Sequence, residues 1–363
     1  MKVLQVTTHV NVGGISRYIL SLSKAMKAKG VNTTVVSAGG SLENAFSDRG
    51  ISHKRLNIKT KFEFAPRVLI SAFKLAGLVR DEGIDVIHAH TRVSQVAGAI
   101  AAKLTGAAYV TTCHGFFRKR ARGIFDTWGD KVVAISDAVK EHLVCDLGVK
   151  DERIEVIYNG VDIDHFTSDC TAGEIENAKR NLGLKNGPVI GTIGRLSSVK
   201  GQKFFIHAMV DVILKYPDAQ AVIIGAGDED VPLKNLARSL GISDSIHFLP
   251  SVSDTHSYLS IMDIFVFPSV KEGLGIALLE AMASDKACVA SDAGGIRNAI
   301  EDGVTGLLTP VGNSNAIGEA ILQLIGDSDM RKRLGHNARS LAIEKFSLDD
   351  MADKMIELYE GVI

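Results

Sequence analysis

Short apolar runs rich in β-branched residues alternate along this chain with longer stretches of helical period, and near the middle the series starts again. The first series predicts strands at residues 3–7, 32–37, 86–88, 108–112 and 131–135, closed by 155–158, with helices such as 16–29 and 67–81 between them. The second predicts strands at 189–193, 221–224, 246–248, 264–267 and 287–290, with helices at 202–215 and 232–240. Strands alternating with helices of this length form parallel sheets covered by helices. The restart follows Tyr158-Asn159-Gly160-Val161-Asp162, where Asn-Gly marks a turn. The fold class is therefore α/β, with two tandem Rossmann-like doubly wound domains. They are expected at 1–163 and 164–346. A last helix, with Leu348, Met351, Met355, Leu358 and Tyr359 at helical spacing, is expected to pack back on the first domain. Such a tandem is expected to face its strand ends across an interdomain cleft, so chemistry should sit at strand-to-helix turns.

The length of 363 residues supports two cores at roughly 150 residues per domain. A formal net charge of −1 excludes a strongly basic nucleic-acid binder and an acidic disordered chain. That total conceals two opposed halves. Residues 1–163 carry 23 Lys+Arg against 15 Asp+Glu, net +8, and residues 164–363 carry 18 against 27, net −9. The basic half is open to an anionic acceptor or to peripheral contact with an anionic membrane face. The four cysteines form no Cys-x-x-Cys pair, and the chain starts on a strand pattern without the apolar core of a signal peptide. The longest apolar stretch, residues 93–110, is broken by Ser94, Gln95, Lys103 and Thr105. A cytoplasmic protein is expected, peripheral at most to the cytoplasmic face of the inner membrane.

Three turns carry residues suited to a phosphorylated ligand. Gly13-Gly14 follows the first strand and opens a helix, where backbone N–H groups can approach an anion; a tight turn explains the pair equally well. Gly194-Arg195 through Lys200-Gly201 follows the first strand of the second series, and two fixed cations there can clamp a diphosphate. A solvated basic loop is the alternative. Glu272-Gly273-Leu274-Gly275 follows the strand at 264–267 and leads into a helix carrying Glu280 within the apolar run Ala277-Leu278-Leu279-Glu280-Ala281-Met282. An unpaired acid in such a run would be expensive, so Glu280 is read as held by a ligand or a partner. The alternatives are a helix-start acid at 272 and a surface charge at 280.

These residues resemble the retaining glycosyltransferases of family 4, which have the GT-B fold. The shared pattern is Gly-Gly near the start, Gly-Arg-x-x-x-x-Lys-Gly at the second domain's start, and two glutamates separated by seven residues, the first in the turn and the second in the helix. Weaker echoes run along nearly all of the chain, at Asp85-Val86-Ile87-His88-Ala89-His90, Cys113-His114-Gly115, Tyr158-Asn159-Gly160, and Gly294-Gly295 followed by Asp302-Gly303-Val304-Thr305-Gly306. The resemblance implies a nucleotide diphosphate sugar as donor and a saccharide or lipid-linked acceptor, in cell-surface polysaccharide or lipopolysaccharide biosynthesis. It implies that Arg195 and Lys200 hold the diphosphate with help from Gly14 across the cleft. Glu272 then meets hydroxyls of the transferred sugar, Glu280 the ribose, and His114 the region of the anomeric carbon. The amides of Gly273, Leu274 and Gly275 bind phosphate or sugar oxygens, with Gly13 and Gly194 shaping the donor turns. A sugar-nucleotide 2-epimerase and a non-catalytic nucleotide-sugar-binding protein are the rival readings on this architecture.

No metal or other cofactor is expected, since the cations and helix ends supply the charge. The pairs Asp162/Asp164, Asp228/Asp230 and Asp327/Asp329 are read as solvated turns. Gly225-Ala226-Gly227 approaches a dinucleotide fingerprint, but Asp230 stands where the third glycine belongs and would repel a pyrophosphate. His9, His88 and His90 near strand ends are each read first as a packed or solvated histidine, the alternative being that they face the acceptor pocket, with His9 the candidate acceptor contact; Ser136 is first a helix cap and second a ligand contact. The run Arg118-Lys119-Arg120-Ala121-Arg122 is a candidate for acceptor or anionic lipid, or a solvated loop.

Overall fold

The strands of the computed structural model pair in parallel, in one sheet of seven strands and one of six. The structure describes the chain except Lys61, Phe64, residues 118–126, residues 168–170, Ser253 and the side chain of Ala172. It divides into one unit of Met1–Gly160 with Leu348–Ile363, and a second of Val161–Ser347.

In the first unit the strands are β1 (Lys2–Val6), β2 (Asn32–Ser37), β3 (Ser52–Arg55), β4 (Val86–Ala89), β5 (Ala108–Cys113), β6 (Lys131–Ala134) and β7 (Ile154–Val156). β1 lies between β2 and β4, with Val6 opposite Val36 on one side and Ala89 on the other. The winding direction of the sheet therefore reverses beside β1, and the crevice at the carboxyl ends of β1 and β4 is where a doubly wound sheet accepts a ligand. In the second unit the strands are β8 (Val189–Ile193), β9 (Gln220–Ile224), β10 (Ile246–Leu249), β11 (Ile264–Phe267), β12 (Ala287–Ser291) and β13 (Leu307–Thr309). The reversal there falls between β8 and β11, which pair at Ile190 and Ile264.

Helices cover the sheets because their apolar residues recur every three or four positions. The helix Gly14–Ala28 buries Tyr18, Ile19, Leu22, Ala25 and Met26. Pro66 at the first position fixes the start of the helix Pro66–Glu82, and Gly83 ends it in the left-handed region at φ 62°. Val68, Ala72, Leu75, Ala76 and Val79 on that helix join Leu4, Val6, Ile87 and Val96 in the core of the first unit. In the second unit Phe205, Ile206, Met209 and Val212 pack on Ile190, Ile223, Ile264 and Val289. Each such side chain taken fully from water contributes roughly 1.5–3 kcal/mol. Helix starts are capped where the sequence supplies an oxygen: Ser136 Oγ accepts from Val139 N at 3.2 Å and Asp327 Oδ1 from Met330 N at 2.8 Å.

The helix Leu348–Glu360 belongs to the first unit, where it packs against Gly14–Ala28 and buries Met351, Met355 and Tyr359. Among the described residues no helix is long and apolar enough to cross a membrane. β3 and β13 are the strands that periodicity did not predict. Both are only partly buried, so neither shows a continuous apolar run.

Candidate active site

In the second unit, the loops leaving β8 and β11 bring Arg195, Lys200, Glu272 and the glycine turn to the reversal point. The backbone under Arg195 is pinned on both sides: Gly194 N donates to Ile224 O at 2.9 Å and Leu196 N to Ala226 O at 3.0 Å. Gln202 Nε2 donates to Arg195 O at 2.9 Å. The Arg195 side chain is exposed and has no partner among the described residues. Its base is thus rigid and its guanidinium free for a ligand.

Lys200 and Glu272 form an ion pair, with side chains 26% and 15% exposed. The family resemblance divides these groups between phosphate and sugar. The structure joins them because the loops after β8 and β11 converge, and an ammonium has three donors, enough to hold a carboxylate and a phosphate oxygen together. Glu272 is held further by Ser269 Oγ at 3.4 Å and Gly273 N at 3.2 Å, and its carbonyl accepts from Gly295 N at 3.0 Å. Gly275 closes the turn at φ 89°, and a Cβ there would stand 2.7 Å from the Phe267 ring. Leu274 is fully buried, so its backbone alone can face a ligand. Behind the turn the helix Ile276–Ala283 carries Glu280, which is 6% exposed. Thr255 Oγ1, itself buried, donates to its Oε2 at 2.9 Å, which answers in part how an apolar run holds an acid.

Gly225 and Gly227 have a packing role. Cβ atoms there would lie 1.9 Å from Gly194 O and 2.1 Å from Leu196 O. The glycines let the loop after β9 cross the Arg195 loop, which explains them without a dinucleotide. Leu249 O accepts from Gly225 N at 3.0 Å, and the next residue, Pro250, has no N–H.

In the first unit, Gly13 caps the helix Gly14–Ala28 without a side-chain bond, its carbonyl accepting from Arg17 N at 3.0 Å. A Cβ on Gly14 would meet open space, so the fold does not demand that glycine. His9 is half-buried; its Nδ1 accepts from Asn11 N and its carbonyl from Ser16 Oγ, both at 3.4 Å. His114 follows β5 and lies edge-on to Tyr18, with ring centroids 4.7 Å apart. Burial of its ring lowers His114 to about 3, and burial likewise pushes His88 and His90 well below the usual histidine range. All three are neutral at physiological pH.

His88 and His90 do not stand singly, as the sequence suggested. His90 Nδ1 lies 3.1 Å from His114 Nε2, and His90 Nε2 lies 2.5 Å from Gln5 Oε1. His88 Nδ1 is 2.5 Å from Tyr359 Oη, and its Nε2 is 2.7 Å from Thr112 Oγ1. Sequence reasoning missed Gln5, Thr112 and Tyr359, because they come from β1, β5 and a helix about 350 residues from the first of them.

Arg118, Lys119, Arg120 and Arg122 lie outside the described residues. Of the aspartate pairs, Asp327 caps a helix and Asp230 pairs with Lys234 at 2.8 Å. Among the described residues no group of three or more His, Cys, Asp or Glu is placed to hold a metal ion. A cavity of about 810 Å³ in the first unit opens at the amino ends of β4 to β6, away from all of these residues.

Two doubly wound units of this topology define the GT-B class of folds. Family models match in turn along the chain, Glycosyltransferase Family 4 over residues 12–165 and Glycosyl transferases group 1 over residues 174–341. The chain belongs to glycosyltransferase family 4, group 1, and is a glycosyltransferase. It is 26% identical to an uncharacterized glycosyltransferase of Methanocaldococcus jannaschii, over 96% of this chain and 94% of that protein. It is 27% identical to the lipopolysaccharide core biosynthesis glycosyltransferase LpsE of Rhizobium meliloti, over 95% of each. Among solved structures, a glycosyltransferase from Rickettsia africae superposes with a TM-score of 0.88 at 27% identity, covering 99% of this chain and 98% of that one. Anabaena HepE, solved with UDP and glucose, superposes at 0.87 over 99% of this chain and 100% of that one, and at 24% identity the likeness is one of fold.

Proposed function

We propose that this glycosyltransferase transfers a sugar, with retention and without a metal, from a nucleotide diphosphate sugar to a saccharide or lipid-linked acceptor in cell-surface polysaccharide or lipopolysaccharide biosynthesis. The observation that carries the donor assignment is the convergence of Arg195, Lys200, Glu272 and the Gly273–Gly275 turn at the reversal point of the second sheet. The naming of LpsE supports the biosynthetic setting, as does the Escherichia coli UDP-Gal:alpha-D-GlcNAc-diphosphoundecaprenol alpha-1,3-galactosyltransferase, 28% identical over 81% of this chain and 79% of that protein.

In this reading Arg195 and Lys200 hold the diphosphate, Glu272 accepts bonds from the transferred sugar, and Glu280 accepts from the ribose. As the bond from anomeric carbon to phosphate oxygen lengthens, negative charge grows on the departing nucleoside diphosphate. Cations already fixed there stabilise that transition state more than the ground state. The acceptor oxygen bonds to the anomeric carbon on the face the phosphate leaves, and its proton passes to a phosphate oxygen. His114, being neutral, meets a sugar as a hydrogen-bonding group and not as a charge. The amides of Gly13 and Gly14 stand at an uncapped helix start suited to an anion.

The protein works at the cytoplasmic face of an anionic membrane, docked through the first unit. The helix Pro66–Glu82 exposes Leu69, Ile70 and Phe73 at 49%, 58% and 64%, with Phe62 nearby at 76%. Exposed Arg67 and Lys74 flank this strip, and residues 66–80 hold no acid. Apolar contact flanked by Arg67 and Lys74 fits anionic lipid.

Thermal-shift titration with UDP-, ADP- and GDP-sugars tests the donor assignment, since a true donor raises the midpoint by mass action. A rise with one base, lost in Arg195→Ala, is expected; no rise with any nucleotide sugar at millimolar concentration overturns it.

A further inference from the structure

The polar cluster beneath His114 has a direction. Tyr359, His88, Gln5 and His90 are fully buried, so each hydrogen in the cluster must be placed by its neighbours rather than by water. The chain of bonds is decided at its most asymmetric link, Tyr359 Oη to His88 Nδ1 at 2.5 Å. A phenol is a stronger donor than a neutral imidazole N–H, and an imidazole nitrogen a stronger acceptor than a phenol oxygen, so Tyr359 donates. His88 Nε2–H then donates to Thr112 Oγ1 at 2.7 Å.

With its hydrogen spent on His88, the Tyr359 oxygen accepts from Gln5 Nε2 at 3.3 Å. That contact turns the Gln5 carboxamide so that Oε1 faces His90 Nε2 at 2.5 Å. His90 must carry its hydrogen on Nε2, leaving Nδ1 as a lone pair that accepts from His114 Nε2 at 3.1 Å. The remaining nitrogen of His114, Nδ1, has no partner among the described residues and keeps its lone pair.

We propose that Tyr359 and Gln5, acting through His90, are positioning residues that lock His114 in the Nε2-protonated tautomer and present Nδ1 as an acceptor for a sugar hydroxyl bound at the carboxyl end of β5. The inference rests on the transferase reading for the ligand, but the lock itself is a property of the free protein. A reversed chain, with Gln5 turned over, would make His114 a donor at Nδ1 and would prefer an acceptor atom on the ligand. The Tyr359 link selects between the two.

Long-range proton–nitrogen correlation spectra of histidine-labelled protein read the tautomer directly, with His114 assigned by the signal missing in His114→Asn. The wild type is expected to show Nε2 as pyrrole-like and Nδ1 as pyridine-like in one species. In Tyr359→Phe and Gln5→Leu the two signals move toward each other. Turnover of the donor then falls about five- to tenfold, the worth of one net hydrogen bond, while affinity for the bare nucleoside diphosphate stays unchanged. An Nδ1–H tautomer in the wild type overturns the proposal even if neither variant folds. So does lost turnover in variants whose His114 keeps its tautomer, which would mark a merely structural role. If the tautomer is as expected and moves in the variants, yet no nucleotide sugar turns over, the transferase reading fails and the lock stands.

Discussion

Replacing Arg195 by alanine separates function from folding more cleanly than any other change at this site. The side chain is exposed and has no partner among the described residues, while the bonds that pin the loop, from Gly194 N to Ile224 O, Leu196 N to Ala226 O and Gln202 Nε2 to Arg195 O, involve no atom of the Arg195 side chain. Truncation therefore removes no internal contact, and stability should stay within about 0.5 kcal/mol of the wild type. If the guanidinium stabilises charge growing on the leaving diphosphate, its loss resembles the loss of one oxyanion donor, roughly 10²–10³ in turnover or about 2.7–4 kcal/mol. Lys200→Met is the comparison. It should lose a similar factor in turnover but also leave the Glu272 carboxylate without its ion-pair partner, costing up to about 1 kcal/mol of stability at this partial exposure. Urea unfolding and steady-state release of nucleoside diphosphate measure the two quantities on the same samples. Near-normal turnover in Arg195→Ala refutes the assignment, and an equal loss of stability and turnover would show that the loop, not the charge, was damaged.

The neutral histidines make stability depend on pH. His114 titrates near 3 in the fold against a usual value of 6.5, so between those values the unfolded chain binds more protons and stability falls as the pH drops. Urea midpoints from pH 7 to 4.5 should decline, and His114→Asn should flatten that decline by up to about 1.4 kcal/mol per pH unit; an unchanged slope contradicts the buried neutral ring. Gly225→Ala should destabilise the second unit strongly, since its Cβ would stand 1.9 Å from Gly194 O, whereas Gly14→Ala should melt like the wild type yet bind donor more weakly. Equal melting temperatures for the two variants would contradict the packing argument. Activity should survive exhaustive treatment with chelator, and loss restored by magnesium would contradict a metal-free mechanism. Changing Leu69, Ile70 and Phe73 to serine should abolish flotation with vesicles containing anionic lipid while leaving the melting temperature within a few degrees; retained flotation sinks the docking surface.

What the sequence made legible was local. A strand, a glycine turn and a helix lie within about fifteen residues of one another, so Gly194-Arg195 and Glu272 to Gly275 could be placed at strand ends from spacing alone. The two strands that escaped notice, β3 and β13, are too exposed for an apolar signature. Long-range partnerships left no trace. Lys200 and Glu272 are 72 positions apart, and the reason for Gly225 is a carbonyl 31 residues earlier. His88 and His90 looked like isolated histidines because their partners come from three other elements. Nothing in a periodicity or a motif reports which tautomer a buried ring adopts, since that follows only from the full set of neighbours.

The placement of Tyr359 also bears on how the chain is made. Synthesis runs from the first residue, and domains tend to fold as they emerge. Here the first 160 residues wait for the helix Leu348–Glu360, which supplies a buried tyrosine to their core and a hydroxyl to Gln5 and His88. The second unit is continuous in sequence and can finish folding while that helix is still inside the ribosome. The unit translated first is the one completed last, and until then it leaves a polar hollow beside β1 and β4 open to water.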